Sequence, residues 1–247
     1  MHRYFIEVAY VGTRYSGFQI QLNANTIQAE LSRALRIFFN EEFELTGSSR
    51  TDAGVHALQN FFHFDTNNEI GKTIIYNLNA LLPYDIVVKN IFETQADAHC
   101  RFDAVARTYH YHIIKFKNPF AFQRAYYYPY HINTDLLHEM AALLPTFHDF
   151  TSFSKKKTEV KNFYCEIKSC RWILDEDSWR FEIKADRFLR GMVKGLVGTM
   201  LRFAKNDQNS SEFEKLIESR SRAAAYFSVP SEGLFLAAVD FKQGILL

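Results

Sequence analysis

Gly47-Ser48-Ser49-Arg50-Thr51-Asp52-Ala53-Gly54-Val55-His56-Ala57 sets one carboxylate beside one guanidinium in a run of small residues, between two apolar segments. Gly47 and Gly54 let the backbone take positive φ or approach another surface closely, and the Ser and Thr hydroxyls can tie the loop through local hydrogen bonds. A loop so built can hold a side chain in one place. Ala53 and Gly54 leave the C-terminal side of Asp52 open to a substrate. Arg50, two residues earlier, favours the ionised carboxylate that a nucleophile or an electrostatic stabiliser needs. Asp52 is therefore the candidate catalytic group. The same residues also suit an Asx-type turn whose aspartate only ties the loop, and composition alone favours that reading.

Outward from this loop, the hydrophobic spacing gives a strand over 3–10 and a polar, Gly-bounded turn over 11–19. A helix opens at Asn25-Thr26 with Gln28 in a capping arrangement and carries Ile27, Leu31, Ala34, Leu35 and Phe38 at helical spacing. Phe43 to Leu45 reads as a short strand feeding the loop, and Asn60 to Asp65 as the strand leaving it. A helix near 71–81 stops before Pro83, and Ile86 to Phe92 returns as a strand. Strand, helix, two strands, helix, strand is the pattern of a ferredoxin-like half. From about 107 a similar series restarts. It has strands near 107–115, 124–129, 165–174 and 179–186, a helix near 134–144 introduced by Asn133-Thr134-Asp135, helices at 188–204 and near 211–219, and a last strand near 234–241. The class is α+β, divided into an N-terminal half at 1–105 and a C-terminal half at 106–247. The polar, Lys-rich stretch 152–163 is the candidate mobile loop.

Length and composition bound the rest. A chain of 247 residues buries a sizeable core. Aromatics make up 16%, with Phe 24 and Tyr 13, which suits both a broad sheet and base stacking, so each ring has to be argued by position. Lys+Arg 29 against Asp+Glu 28 leaves a net charge of +1, so any hold on nucleic acid must come from a local basic patch. Candidates are Lys155-Lys156-Lys157 with Lys161, and Arg187, Arg190 and Lys194. Cys100, Cys165 and Cys170 have neither disulfide-framework nor zinc spacing and point to a reducing, cytoplasmic setting. His56, His63, His99 and His110 are scattered, so no metal site is expected. The stretch 188–204 contains Arg190, Lys194 and Arg202 and is not a membrane span. No nucleotide-cofactor fingerprint occurs, so any chemistry runs without a cofactor.

Two elements supply groups that could act with Asp52. On a strand at 107–115, Arg107, Tyr109, Tyr111 and Ile113 share a face, a cation beside two phenols that could meet phosphate and stack on a base. Core packing is the alternative use, more so for Tyr111 than for Tyr109. On a helix at 188–204, Arg187, Arg190 and Lys194 fall on one stripe, with Gly191, Gly195 and Gly198 beside it, open either to a ligand or to close packing.

Arg50-Thr51-Asp52-Ala53-Gly54-Val55-His56 resembles the signature of the tRNA pseudouridine synthase A family. Tyr10-Val11-Gly12, Tyr15-Ser16-Gly17-Phe18-Gln19 and Thr26-Ile27-Gln28 are similar to that family's opening turn and first helix. Asn79 to Pro83, Arg101 to Ala104, Arg107 to Tyr111, Asp149 to Phe153, Phe188 to Gly198 and Glu232 to Leu236 follow in its order, so the likeness runs along nearly the whole chain. Two positions depart from the family pattern: Ser49 stands where Gly is usual, and Lys194 where Arg is usual, which puts a bidentate bridge to Asp52 in question.

The resemblance implies two halves sharing one extended antiparallel sheet, helices mainly on one face, and a central RNA-binding cleft. It implies isomerisation of uridine to pseudouridine in the anticodon stem-loop of tRNA, at positions 38, 39 and 40 in tRNA numbering, on a flipped-out base. Asp52 would be the catalytic carboxylate, Lys194 its countercharge and Tyr109 the ring packed on the base. Arg50 would intrude into the stem, Leu234 would wall the uracil, and Arg107 and Arg190 would contact RNA. A homodimer gripping one tRNA is the implied assembly. Two other classes compete with this reading: an RNA-binding module that makes no bond, and an Asp-dependent hydrolase, which would need a second carboxylate such as Asp65, Asp97 or Asp103.

Overall fold

A computed structural model describes residues 1–71, 73–155 and 162–246. Lys156, Lys157, Lys161 and half of the 152–163 stretch lie outside the described residues. The protein is α+β, with mostly antiparallel strand pairs and five α-helices among the described residues. It divides into two compact units, Met1–Val105 with Phe235–Leu247, and Ala106–Leu234. The first unit runs β1 (His2–Tyr10), α1 (Ile27–Phe39), β2 (Thr46–Gly47), β3 (His56–Thr66), α2 (Ile74–Leu81) and β4 (Ile86–Thr94). The second runs β5 (Ala104–Ile114), β6 (Tyr126–Tyr127), α3 (Thr134–Leu143), β7 (Ile167–Leu174), β8 (Ser178–Ala185), α4 (Met192–Lys205) and α5 (Ser210–Glu218). The chain then returns to the first unit in β9 (Leu234–Phe241), so residues from 235 onward group with the N-terminal residues, far from them in sequence.

In the first unit β1 lies between β4 and β3, antiparallel to both, and β9 joins β3 in parallel with His56 opposite Phe235. Tyr4 to Val8 are buried without a break, because β1 is covered on both faces. On one face Phe241 meets Phe61 edge-on at 4.9 Å and tilts against Phe5 at 5.5 Å. α1 starts where the sequence places it: Thr26 Oγ1 accepts from the Ala29 amide at 3.3 Å. Ile27, Leu31, Ala34 and Leu35 are buried as their spacing requires, but Phe38 is 39% exposed. The last turn of α1 overhangs the core, and Phe39 is the ring that turns back onto Phe43 and Phe64.

In the second unit β8 lies between β5 and β7, antiparallel to both, and β6 runs parallel to the end of β5. Asn133 caps α3 through the Leu136 amide, as the sequence indicates. Three local expectations move. The strand before the Asp52 loop is Thr46–Gly47, while Leu45 spends its carbonyl on Gln28 Nε2 at 2.7 Å. The strand expected at 124–129 shrinks to Tyr126–Tyr127. The late helix starts at Met192, because Gly191 takes a left-handed φ of 75° that breaks any earlier helical run. Arg187 and Arg190 are therefore loop residues, and the cationic helix stripe reduces to Lys194. No helix among the described residues is long and apolar enough to cross a membrane.

His63 on β3 is buried, and burial, reinforced by the nearby Arg3, pushes its pKa down to about 4. The folded protein keeps this ring neutral, while the unfolded chain protonates it near 6.5. Stability from His63 is thus full above pH 6.5 and lost as pH falls toward 4. Urea unfolding between pH 7 and 4.5 should show a loss with a His63 share of at most about 1.4 kcal/mol per pH unit. His63→Asn, which can still accept from the Cys100 amide, should flatten the profile by that share.

Candidate active site

The Asp52 loop belongs to the first unit and carries almost no regular structure, yet it is tied at nearly every residue. Ser48 donates its amide to Phe61 O at 2.8 Å, the Asn60 side chain donates to Ser49 O at 2.9 Å, and Thr51 O accepts from the Phe18 amide at 3.1 Å. Thr51 Oγ1 lies 2.8 Å from Tyr10 Oη, and the Gly54 amide reaches Tyr15 O at 3.4 Å. Gly54 has φ 76°, the left-handed turn that its lack of a Cβ allows. Gly12 lies so close beneath the loop that a Cβ there would collide with the Val55 carbonyl, and its amide donates to His56 Nδ1 at 3.0 Å. The opening turn singled out in the sequence is thus the bed on which the loop rests. Tyr15 is itself held by a 2.6 Å bond from its hydroxyl to Asp85.

From this bed Asp52 emerges half-buried and Arg50 exposed, on one loop and separated only by Thr51, which is buried. The Ser48 and Ser49 hydroxyls are buried without a hydrogen-bond partner among the described residues. Of the three carboxylates that a hydrolase could enlist, Asp97 is exposed and two are occupied: Asp65 is held by a two-point bridge to Arg3 at 2.7 Å on each oxygen, and Asp103 accepts from the His99 amide at 2.7 Å and from Lys242 at 3.1 Å. Both lie below the usual carboxylate range, Asp65 chiefly through the Arg3 bridge and Asp103 chiefly through the His99 amide. Neither is set up as a proton donor.

The other singled-out residues belong to the second unit. β5 places Arg107, Tyr109 and Tyr111 on one face, and burial sorts them: Tyr111 is fully buried and Tyr109 half-buried. The Tyr109 ring meets Phe188 edge-on at 5.0 Å, and Arg107 donates to Asp186 O at 3.0 Å, so both lie against the 186–190 turn. Arg190 is exposed on that turn, with its carbonyl bonded to the Lys155 amide. Lys194, in the first turn of α4, donates to Ser231 Oγ at 3.1 Å.

Ser231 opens the short 3-10 turn Ser231–Gly233 that delivers Leu234, buried at 7% exposure. The Tyr111 hydroxyl ties the same segment through Pro230 O at 2.8 Å. Gly195 and Gly198 make room for Phe227 and for the Tyr226 backbone, so their openness serves packing of this segment on the helix and not a ligand. The roles of Ser231 and Phe188 are absent from the sequence reading. The position of Ser231 at the start of the Glu232-Gly233-Leu234 motif was the available signal.

The profile described as tRNA pseudouridine synthase matches residues 6–103 and 141–242, which takes in the loop, α4 and β9. The chain belongs to the tRNA pseudouridine synthase family. It is 45% identical to the tRNA pseudouridine synthase A of Bacteroides fragilis, covering 99% of this chain and 98% of that one. It is 40% identical to the enzyme of the same name from Porphyromonas gingivalis, over the full length of both, and 34% identical to that of Staphylococcus aureus, over 99% and 93%. Members of this synthase family are isomerases: the uracil leaves its nitrogen link to ribose and rejoins through carbon, with no atom gained or lost.

The close fit beneath the loop is testable without substrate. Gly12→Ala forces the Val55 carbonyl to move and should cost about 2–4 kcal/mol, read as a fall in Tm. Ser49→Ala removes a buried hydroxyl that has no partner among the described residues and should leave stability unchanged or raise it by about 1 kcal/mol.

Proposed function

We propose that this chain isomerises uridine to pseudouridine in the anticodon stem-loop of tRNA, at positions 38 to 40, with Asp52 as the catalytic carboxylate and no cofactor. One observation carries the reading. In a member of this synthase family, the single aspartate of the Arg-Thr-Asp-Ala-Gly-Val-His run is half-buried on a loop immobilised from below, beside an exposed arginine. Unpairing the target lets the base turn out of the stem. Asp52 then acts on the nucleotide as the bond from N1 to C1′ breaks, the uracil turns, C5 bonds to C1′, and the proton on C5 is released while N1 takes one up. Arg50, planar and weakly hydrated, occupies the gap left in the stem.

In the second unit, Tyr109 stacks on the everted base, Leu234 walls it, and Lys194 supplies positive charge held in place by Ser231. Arg107 and Arg190 face phosphate. A lysine gives a point charge where an arginine would give a fork, so the pairing with Asp52 is electrostatic and not bidentate. We further propose that the units are two ferredoxin-like halves of one sheet flanking an RNA-binding cleft, and that the enzyme works as a cytoplasmic homodimer.

Incubation with tRNA transcripts tritiated at uridine C5, followed by mapping of the product, tests reaction, substrate and position together. Wild-type protein should release tritium from positions 38 to 40. Asp52→Ala should bind tRNA within about twofold of wild type and release none above background, whereas retained release would refute the assignment. Lys194→Met should lower kcat about 10²-fold, and Lys194→Arg should restore most of it.

A further inference from the structure

We propose that Tyr10 and Asn60 are positioning residues for the catalytic loop, a buried clamp that fixes Arg50 and Asp52 relative to each other; this rests on the synthase reading above. Both side chains are interior, Tyr10 at 4% exposure and Asn60 at 0%, so neither reaches substrate. What they touch is specific. The two N–H groups of the Asn60 amide reach Ser49 O at 2.9 Å and Tyr10 Oη at 3.2 Å, while its oxygen accepts from the Phe61 amide at 2.9 Å. Tyr10 Oη, having accepted from Asn60, lies 2.8 Å from Thr51 Oγ1, a hydrogen bond in which either hydroxyl can donate.

The clamp therefore grips residues 49 and 51, on either side of Arg50 and directly before Asp52. Two anchor points on either side of a single residue fix both the position and the direction of the backbone between them, which a single bond cannot do. Burial holds the Tyr10 hydroxyl protonated, with its pKa pushed up to about 12, so the contact between the two hydroxyls stays neutral at any working pH.

The strand register is arranged for this contact. Val8 is opposite Asn60 but Tyr10 is opposite Ala57, so two steps on β1 span three on β3, and the extra β3 residue forms a bulge. Bulges re-aim side chains next to functional sites. Tyr10 and Asn60 project from the same face, where the loop crosses. An asparagine inside the apolar run of β3 would otherwise be a costly choice, since a buried amide is tolerated only when its hydrogen bonds are made. Misplacement of a reacting group by about 1 Å costs on the order of 10²-fold in rate.

The test uses the full chain with two readouts: hydrogen exchange of the peptide spanning 48–55, which needs no activity, and kcat against tRNA Kd. In Tyr10→Phe, exchange of that peptide should speed up about tenfold and kcat should fall about 10- to 100-fold, with Kd within about twofold. Thr51→Val should match it, the double variant should be no worse than either single, and Thr51→Ser, which keeps the hydroxyl, should restore both readouts. Tyr76→Phe, on the exposed side of α2, should change neither. Wild-type exchange in Tyr10→Phe, or a Kd that weakens as much as kcat falls, would overturn the clamp. A wild-type chain that releases no tritium, while exchange still rises in Tyr10→Phe, would instead refute the synthase reading and support the clamp.

Discussion

A loop outside the strand ladders has to find partners for its own polar backbone, and one proposed to carry the catalytic carboxylate must also resist thermal wandering. Residues 48–55 meet both demands by borrowing from three neighbours: the end of β1, the turn at Gly12 to Phe18, and Asn60 on β3. The rest of the first unit can be understood as support for those neighbours. β1 is sealed on both faces, which fixes Tyr10. α1 begins at a capped Thr26 whose preceding residues form the turn under the loop. Asp85, after α2, pins Tyr15.

The second unit follows a similar economy around the segment 226–234. Gly195 and Gly198 let that segment lie against α4, Tyr111 anchors it through Pro230, and Ser231 in turn holds the Lys194 ammonium. A neutral hydroxyl holds an ammonium head by a hydrogen bond without cancelling its charge. With a net charge of only +1, the overall attraction for an anion is small, so individual cations such as the exposed Arg50 and Arg190 matter more than the sum.

Legibility in the sequence tracked the range of the forces involved. Helix caps at Thr26 and Asn133, the stop before Pro83 and the burial of Ile27, Leu31, Ala34 and Leu35 depend on neighbours within a turn or two, and all could be read off the chain. The start of α4 could not, because the left-handed backbone at Gly191 looks in sequence like one more glycine of a helical face. Phe38 failed for a geometric reason: α1 outruns the sheet beneath it.

What the sequence by itself determined was the class of elements, the loop with its single aspartate, the face of β5 that carries Arg107, Tyr109 and Tyr111, and the family to which the motifs point. Local propensity and side-chain period set these, and both act along the chain. Only the tertiary structure decided that residues from 235 onward return to the first unit, that Gly195 receives the Phe227 ring and Gly198 the Tyr226 backbone, and that Tyr10 and Asn60 close on the residues flanking Arg50. Those outcomes depend on strand register, on one bulge and on contacts between residues far apart in the chain, which no stretch of sequence contains.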